Sequence, residues 1–384
     1  MQVTVGVAGL DLSNLARFTR IDGERALGVT AYKRALDVLA GSVARLPFHF
    51  MRQHNGVYED FETSPLHYLL TVQPQSLMSA FDWKYQLVWR AFHDGNAYIY
   101  PRIIDGEIAE LVLLDRGVVS YDDDNCTYLV QDMRNGVYGT FLSSEIIHIK
   151  FNVRHGGIGT PLWKCGRRAL SIIATADDET LNRFSTGGMV HGIITNDRSG
   201  IRGLGSYQDE QLSKLAEVTE LKFQTSNIVS LPTDVDFKQI SLSSSDMQFL
   251  ESRKFAIIEI SRLTGVPPIY LFDMSGSNYK MPAEADTAYL TQTLDVVLST
   301  IESEFARKLI PRTLCCKRIF KFDRRRVFSM DLESMANYES KMIQNGVMSV
   351  NDVRKFENQP AVAGGDRIYL STTLAELGSE KLSN

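Results

Sequence analysis

Two long helical stretches bracket one small mixed segment, and this order restricts the possible folds more than any other feature of the sequence. The first helix reads "TPLWKCGRRALSIIATADDETLNRFSTGG". Thr160 suits an N-cap, and Pro161 suits the first helical position. The helix is expected to run to about Ser185, where "STGG" stops it. Twenty-odd residues at about 1.5 Å each give a rod of nearly 40 Å. The second helix lies in "SLSSSDMQFLESRKFAIIEISRLTGVPPIYL". Ser245 with Gln248 fits a capping box. Phe249, Ala256, Ile260 and Leu263 form one apolar stripe, widened by Leu250 and Ile257. Gly265 is the helix stop, and Pro267 and Pro268 forbid continuation. The intervening residues 189–242 carry a strand at "MVHGIIT", a helix at "DEQLSKLAEVTELKF" and one or two strands in "NIVSLPTDVDFKQISL". Antiparallel pairing of the two helices would push this insert to the end of a stalk.

The flanking segments alternate helix and strand. Residues 1–28 are mixed and Gly-containing and read as a loosely held arm. From Val29, Ala31, Ala35, Leu36, Leu39, Val43 and Leu46 recur at helical spacing, Pro47 ends the run, and "FHFMR" is a strand. "SPLHYLLTVQP" and "SAFDWKYQLVWRAFHDG" are two further helices. "GNAYIYPRII" alternates as a strand and joins "DGEIAELVLL" through an Asp-Gly turn. Short strands continue to "EIIHIKF" at 145–151. After a polar loop, Leu290, Leu294, Val297, Leu298, Ile301 and Phe305 mark a long helix from about Ala283 to Ile310. "RIFKFD" and "VFSMDL" read as strands, and "NGVMSVNDVRKFENQPAVAGGDRIYL" as helix, loop and strand. The fold class is α+β.

The 384-residue chain carries a net charge of -5, so it is not a basic protein that coats nucleic acid. No stretch reaches the roughly 20 apolar residues of a membrane span. The N-terminus lacks the pattern of a signal peptide. The four cysteines, two of them the adjacent Cys315 and Cys316, show no zinc spacing and no disulfide framework. A reducing cytoplasm fits that usage.

Chemistry-bearing motifs are missing: there is no GxxxxGK[ST], no GxGxxG after a strand, no HExxH and no GxSxG. "GGIGTP" could hold an anion before a helix, but a tight turn explains it. His148 reads as a sheet residue. Asp122–Asp124 have the composition of a solvated turn. Asp177, Asp178 and Glu179 occupy consecutive helical positions that cannot share one face. The run Arg324–Arg326 reads as a solvated strand end. No catalytic residue, metal ligand or cofactor is expected.

Four stretches, with the C-terminal one, carry a family resemblance that covers about Val29 to Leu370. They are "AYKRALDVLAGSVARLPFHFMR", "GNAYIY" followed by "LLDRGVVS", "GIGTPLWKCGRRAL", and the second long helix with its "GVPP". "NGVMSVNDVRKFENQPAVAGGD" completes the set. In order and spacing they resemble the portal proteins of long-tailed double-stranded DNA phages. Thr160 stands where that family more often has Ser, and Asp352 where it more often has Glu.

The resemblance implies a subunit with a wing, a two-helix stem, an α/β clip, a tunnel loop and a short crown. The N-terminal arm would be 1–28, the wing 29–160 and 283–345, and the stem helices 161–187 and 246–265. The clip would be 188–245, the tunnel-loop region 266–282 and the crown 346–384. Such subunits form rings, usually of twelve, at one capsid vertex. The ring would be the channel for DNA packaging and ejection. It would dock the terminase large subunit and head–tail adaptor, and meet the major capsid and scaffold proteins. Within the loop, Ser275, Gly276, Ser277, Asn278, Tyr279 and Lys280 would face double-stranded DNA, with weak and non-specific contacts. Clip residues that meet partners are not individually readable within Met189–Leu242. The implied location is the virion, with synthesis in the host cytoplasm and no membrane association. The alternatives are an adaptor or capsid protein, or a metal-dependent nuclease built on Asp177, Asp178 and Glu179.

Overall fold

The computed structural model describes residues 21–153, 157–185, 192–196, 235–239, 245–272, 282–324 and 332–368. Its centre is an aromatic core under a three-stranded sheet. Helices α1 (Gly23–Gly28), α2 (Thr30–Ala44), α3 (Pro65–Thr71) and α4 (Ala80–His93) surround strands β1 (Phe48–His54) and β2 (Val57–Asp60). Helices α2 and α4 pack on each other because both carry buried stripes: Ala35, Leu36, Leu39 and Val43 on one, Trp83, Leu87, Val88 and Ala91 on the other. Ser79 caps α4 by accepting from the Asp82 N–H at 3.1 Å. Strand β1 pairs antiparallel with β2 on one side. On the other it pairs with β11 (Arg318–Phe322), with Phe48 opposite Phe322 and Phe50 opposite Phe320. The Phe48 and Phe322 rings stack at 4.2 Å, and Phe305 meets Phe48 edge-on at 5.2 Å. The sheet therefore joins the beginning of the chain to its last third through aromatic contacts.

Two further antiparallel sheets follow. Strand β3 (Asn96–Ile104) lies between β4 (Glu107–Leu113) and β8 (Ile147–Lys150), and β5 (Val119–Asp122), β6 (Thr127–Asp132) and β7 (Val137–Leu142) form a meander. Asp105 and Gly106, at φ +52° and +84°, make the β3–β4 turn that the Asp-Gly pair predicts. Asp122 caps the β5–β6 turn by accepting from the Asp124 and Asn125 N–H groups, so the acidic run is a turn as expected. "GGIGTP" also acts structurally. A Cβ on Gly159 would lie 2.0 Å from the Gly95 carbonyl oxygen. Asn96 accepts from the Gly159 N–H at 2.7 Å and donates to its carbonyl at 3.0 Å. Gly159→Ala is expected to cost about 3 kcal/mol, because backbone on both sides must move; thermal unfolding of the variant checks this.

His148 sits in β8, buried, between the Tyr128 hydroxyl at 3.0 Å and Asn96 Oδ1 at 2.8 Å. Burial, assisted by Lys150, lowers its pKa to about 3, and burial lowers that of His93 to about 4. Both histidines are neutral when folded and bind protons near pH 6.5 when unfolded. Their contribution is therefore complete above about pH 6.5 and is lost as pH falls toward 4, on the order of a few kcal/mol. Melting temperature is expected to drop across that window, and a His148→Gln variant to lose part of the slope. Equal stability at pH 7 and pH 4 would contradict the neutral buried state.

Several expectations need correction. Residues 21–28 are not part of a loose arm. Asp22 caps α1 by accepting from the Arg25 N–H, and Ile21 and Ala26 are buried in the core. Residues 1–20 lie outside the described residues. The helix after 160 starts at Leu162 with Pro161, not Thr160, as N-cap, because Pro161 is still extended. It also breaks at Gly166 into α5 (Leu162–Cys165) and α6 (Arg167–Ser185). The long helix near 283–310 has two parts, α8 (Pro282–Tyr289) and α9 (Asp295–Leu309), joined by a π turn at Leu290–Leu294.

Arg324 is no solvated strand end. Its guanidinium contacts Asp295 at 2.5 Å and Glu302 at 2.6 Å, which ties the chain after β11 to α9; Arg325 and Arg326 lie outside the described residues. The "VFSMDL" strand also lies outside them, apart from Leu332, which already belongs to an unanticipated helix, α10 (Leu332–Gln344). Helix α11 (Val350–Phe356) follows, and Ser349 and Asp352 form a complete capping box.

Candidate functional site

Helix α7 (Ser245–Thr264) returns alongside α6, with its end at the beginning of α6. A Cβ on Gly166 would lie 2.2 Å from Leu263 Cδ2, so the break between α5 and α6 is where the end of α7 packs. The two long helices thus run antiparallel. Strands β9 (Gly192–Asn196) and β10 (Val235–Gln239), between them in sequence, form an antiparallel pair. Ser245 and Gln248 lie within α7, of which Ser245 is the first residue; the helix expected at 209–223 lies outside the described residues.

The end of α7 is set by local stereochemistry. The Gly265 N–H donates to the Ser261 carbonyl at 2.8 Å, and Gly265 adopts φ +71°. This is the left-handed C-terminal position that glycine occupies without strain. Thr264 and Ser261 turn their hydroxyls onto carbonyls of the same turn, those of Ile260 and Val266. Pro267 is extended and caps a 3-10 turn over Pro268–Leu271. A second contact excludes a side chain at 265. A Cβ there would lie 2.6 Å from Thr293 Oγ1, the atom that donates to the Gly265 carbonyl at 2.8 Å. Thr293 belongs to the π turn between α8 and α9.

Residues 273–281, between the 3-10 turn and α8, lie outside the described residues. The 3-10 turn and α8 are held together. The Tyr270 hydroxyl donates to Asp286, and the Tyr270 and Tyr289 rings meet at 5.5 Å. Tyr289 donates to Ser42 on α2 at 3.2 Å. Arg34, also on α2, donates to the Tyr270 carbonyl at 3.3 Å and lies 5.1 Å from the Phe272 ring centre. Phe272 is mostly exposed and has φ +63°, an uncommon conformation for a bulky residue. Burial, reinforced by Asp286, pushes the Tyr270 phenol up, so it stays a proton donor to that carboxylate. The six residues Ser275, Gly276, Ser277, Asn278, Tyr279 and Lys280 lie outside the described residues.

Among the described residues the alternative chemistry finds no assembled site. Asp178 pairs with Arg25 of α1. Among the described residues, no group of three His, Cys, Asp or Glu side chains could hold a metal ion. No described helix is long and apolar enough to cross a membrane. Sequence reasoning did not find Arg34, Ser42, Tyr270, Asp286 or Thr293. Their partners lie up to 247 residues away, as for Tyr289 and Ser42, and no local pattern encodes such pairs.

What fold and site define is a structural subunit organised around a helix pair and the junction of its second helix with α8. The sequence profile of the phage portal protein family matches residues 30–358, and the chain belongs to that family as a structural portal subunit. It is 23% identical over 372 residues to the portal protein of Enterobacteria phage HK97, covering 94% of this chain and 86% of that one. It is 23% identical over 378 residues to a probable portal protein of Streptomyces phage phiC31, covering 92% and 80%. The fold is shared with a solved HK97-family phage portal protein from Corynebacterium diphtheriae, at TM-score 0.57 and 15% identity, over 79% of this chain and 95% of that one. It is also shared with a chain in the neck of a native GTA particle computed with C12 symmetry, at TM-score 0.56 and 20% identity, over 92% and 94%.

Proposed function

We propose that copies of this chain close into a ring, of twelve in the assembled particle, at one vertex of a capsid. Double-stranded DNA passes through its channel during packaging and ejection. The observation that carries this reading is the pinned base of residues 273–281. A chain segment held at both ends by Tyr270, Asp286, Tyr289 and Arg34, at the end of a long helix pair, suits a loop presented to a common axis. In this reading 161–187 and 246–265 are the stem, 188–245 the clip and 266–282 the tunnel-loop region. Residues 29–160 and 283–345 make the wing, and 346–384 the crown. Ser275 to Asn278 and Tyr279 touch the DNA backbone without gripping it, and Lys280 supplies one cation per subunit. Weak contacts repeated around a ring add through multivalency and still permit sliding. The clip docks the terminase large subunit and later the head–tail adaptor, while the wing meets major capsid and scaffold proteins. The protein acts in the virion after synthesis in the host cytoplasm, by geometry rather than by catalysis.

Negative-stain electron microscopy of the purified protein tests the reading. Class averages down the particle axis are expected to show closed rings with a central hole wide enough for a duplex. A protein that stays monomeric under all conditions, with scaffold and capsid protein included, would count decisively against it.

A further inference from the structure

Cys315 and Cys316 lie between a 3-10 turn at Arg312–Leu314 and strand β11. Both are exposed, and their Sγ atoms are 3.7 Å apart. Adjacent side chains on an extended strand point to opposite faces, so sequence neighbours do not ordinarily meet. Here Cys315 is helical, at φ −58° and ψ −30°, and the turn brings the two thiols together. The surrounding backbone is tied down. The Gln53 N–H donates to the Lys317 carbonyl at 2.7 Å, and the Lys317 N–H to the Leu314 carbonyl at 2.9 Å. The Tyr58 hydroxyl, on β2, donates to the Cys316 carbonyl at 3.1 Å. The thiol pair is thus presented to solvent on a fixed turn, outside the apolar core.

We propose that Cys315 and Cys316 are a vicinal dithiol modification site, and that low-molecular-weight disulfides are the class of molecule that modifies it. One cysteine thiolate attacks a sulfur of the small disulfide. A mixed disulfide forms and one small thiolate leaves. The second cysteine thiolate then attacks the protein-side sulfur of that mixed disulfide. The Cys315–Cys316 bond forms and the second small thiolate leaves. Two electrons pass from the protein to the small disulfide, and the two cysteine protons end on the two small thiols. The second step is intramolecular between sulfurs 3.7 Å apart, and this proximity works against the strain of an eight-membered ring whose adjacent Cα atoms lie about 3.8 Å apart, closer than in an ordinary disulfide. The Cys315 thiol holds that of Cys316 above its ordinary range, so closure accelerates in alkaline buffer. Bond formation draws the sulfurs from 3.7 Å to about 2.05 Å, which moves the turn whose Cys316 carbonyl Tyr58 holds.

Two probes test this on the intact purified protein, and their readout is the chemical state of the two cysteines, which requires no ring. The protein is exposed to oxidised glutathione, alkylated, and digested with trypsin without reduction. The peptide Thr313–Lys317 is expected to be lighter by two hydrogens than its reduced form and to resist alkylation. A peptide that keeps glutathione on either cysteine, that is alkylated at both, or that is linked to a second chain would overturn the proposal. The reduced protein is separately treated with phenylarsine oxide. Retention of the arsenical is expected to fall about a hundredfold in Cys315→Ser and in Cys316→Ser, since either variant leaves one thiol where two bind together. Equal retention by the single variants would also overturn it. Both positions are exposed, so the substitutions leave the core intact.

Discussion

Gly265→Val is expected to destabilise the subunit by about 3 kcal/mol and to reduce ring yield sharply. Two separate costs add. The left-handed backbone at φ +71° disfavours an L-residue by about 1–2 kcal/mol, and most of all a β-branched one. The new Cβ would also lie 2.6 Å from Thr293 Oγ1, which is fixed by its own bond to the Gly265 carbonyl. Relief requires α7 to part from the π turn, and the pinned base with it. Thermal unfolding and ring counts by electron microscopy measure both effects. Gly265→Ala combined with Thr293→Ala removes the collision and leaves the backbone strain, so it should recover part of the loss. Wild-type stability and ring yield in the valine variant would show that this joint does not hold the subunit.

Deleting residues 274–280 is expected to give the opposite separation: rings form and DNA is no longer retained. The bonds at the base all lie outside the deleted stretch, on Tyr270, Asp286, Tyr289, Ser42 and Arg34. The deletion removes the proposed DNA-facing residues and their one lysine per subunit. Loss should appear as packaged DNA escaping from particles, or as packaging that does not start. In the undeleted ring, retention should weaken with added salt, as contacts to phosphate do. Absence of rings from the deleted protein would assign the segment a structural role instead.

Much of the fold is legible in the sequence because its determinants are local. Gly265 admits the left-handed backbone, Pro267 fixes φ and removes an N–H, and α7 ends at Thr264 accordingly. Asp105-Gly106 sets the hairpin between β3 and β4, and the stripe of α2 appears in Ala35, Leu36 and Leu39. What was missed depends on distant partners. Gly166 breaks a helix because Leu263, nearly a hundred positions on, packs against it. Arg324 looks like part of a solvated cationic run until Asp295 and Glu302 are brought to it. Residues 21–28 look too mixed to hold structure, yet Ile21 and Ala26 find a core built by other segments. In the candidate site, the helix stop is a local signal. The Tyr270–Asp286 closure is a tertiary contact that no short pattern announces. Helix α10 is not expected from the sequence, where "VFSMDL" reads as a strand that takes in its first residue, Leu332.

The pairing of β1 with β11 governs how the chain must be made. Strand β1 ends at His54, and its partner ends at Phe322. At about 5–20 residues per second, a ribosome needs roughly 13–54 s to travel between them. Throughout that time Phe48 and Phe50 have neither Phe320 nor Phe322 to cover them, and one edge of β1 offers unpaired backbone groups. Nascent chains therefore pass through a long interval of vulnerability to association with one another. Truncations that stop short of residue 318 should collect in the insoluble fraction, whereas slower synthesis at low temperature, or a chaperone in attendance, should raise the yield of full-length protein.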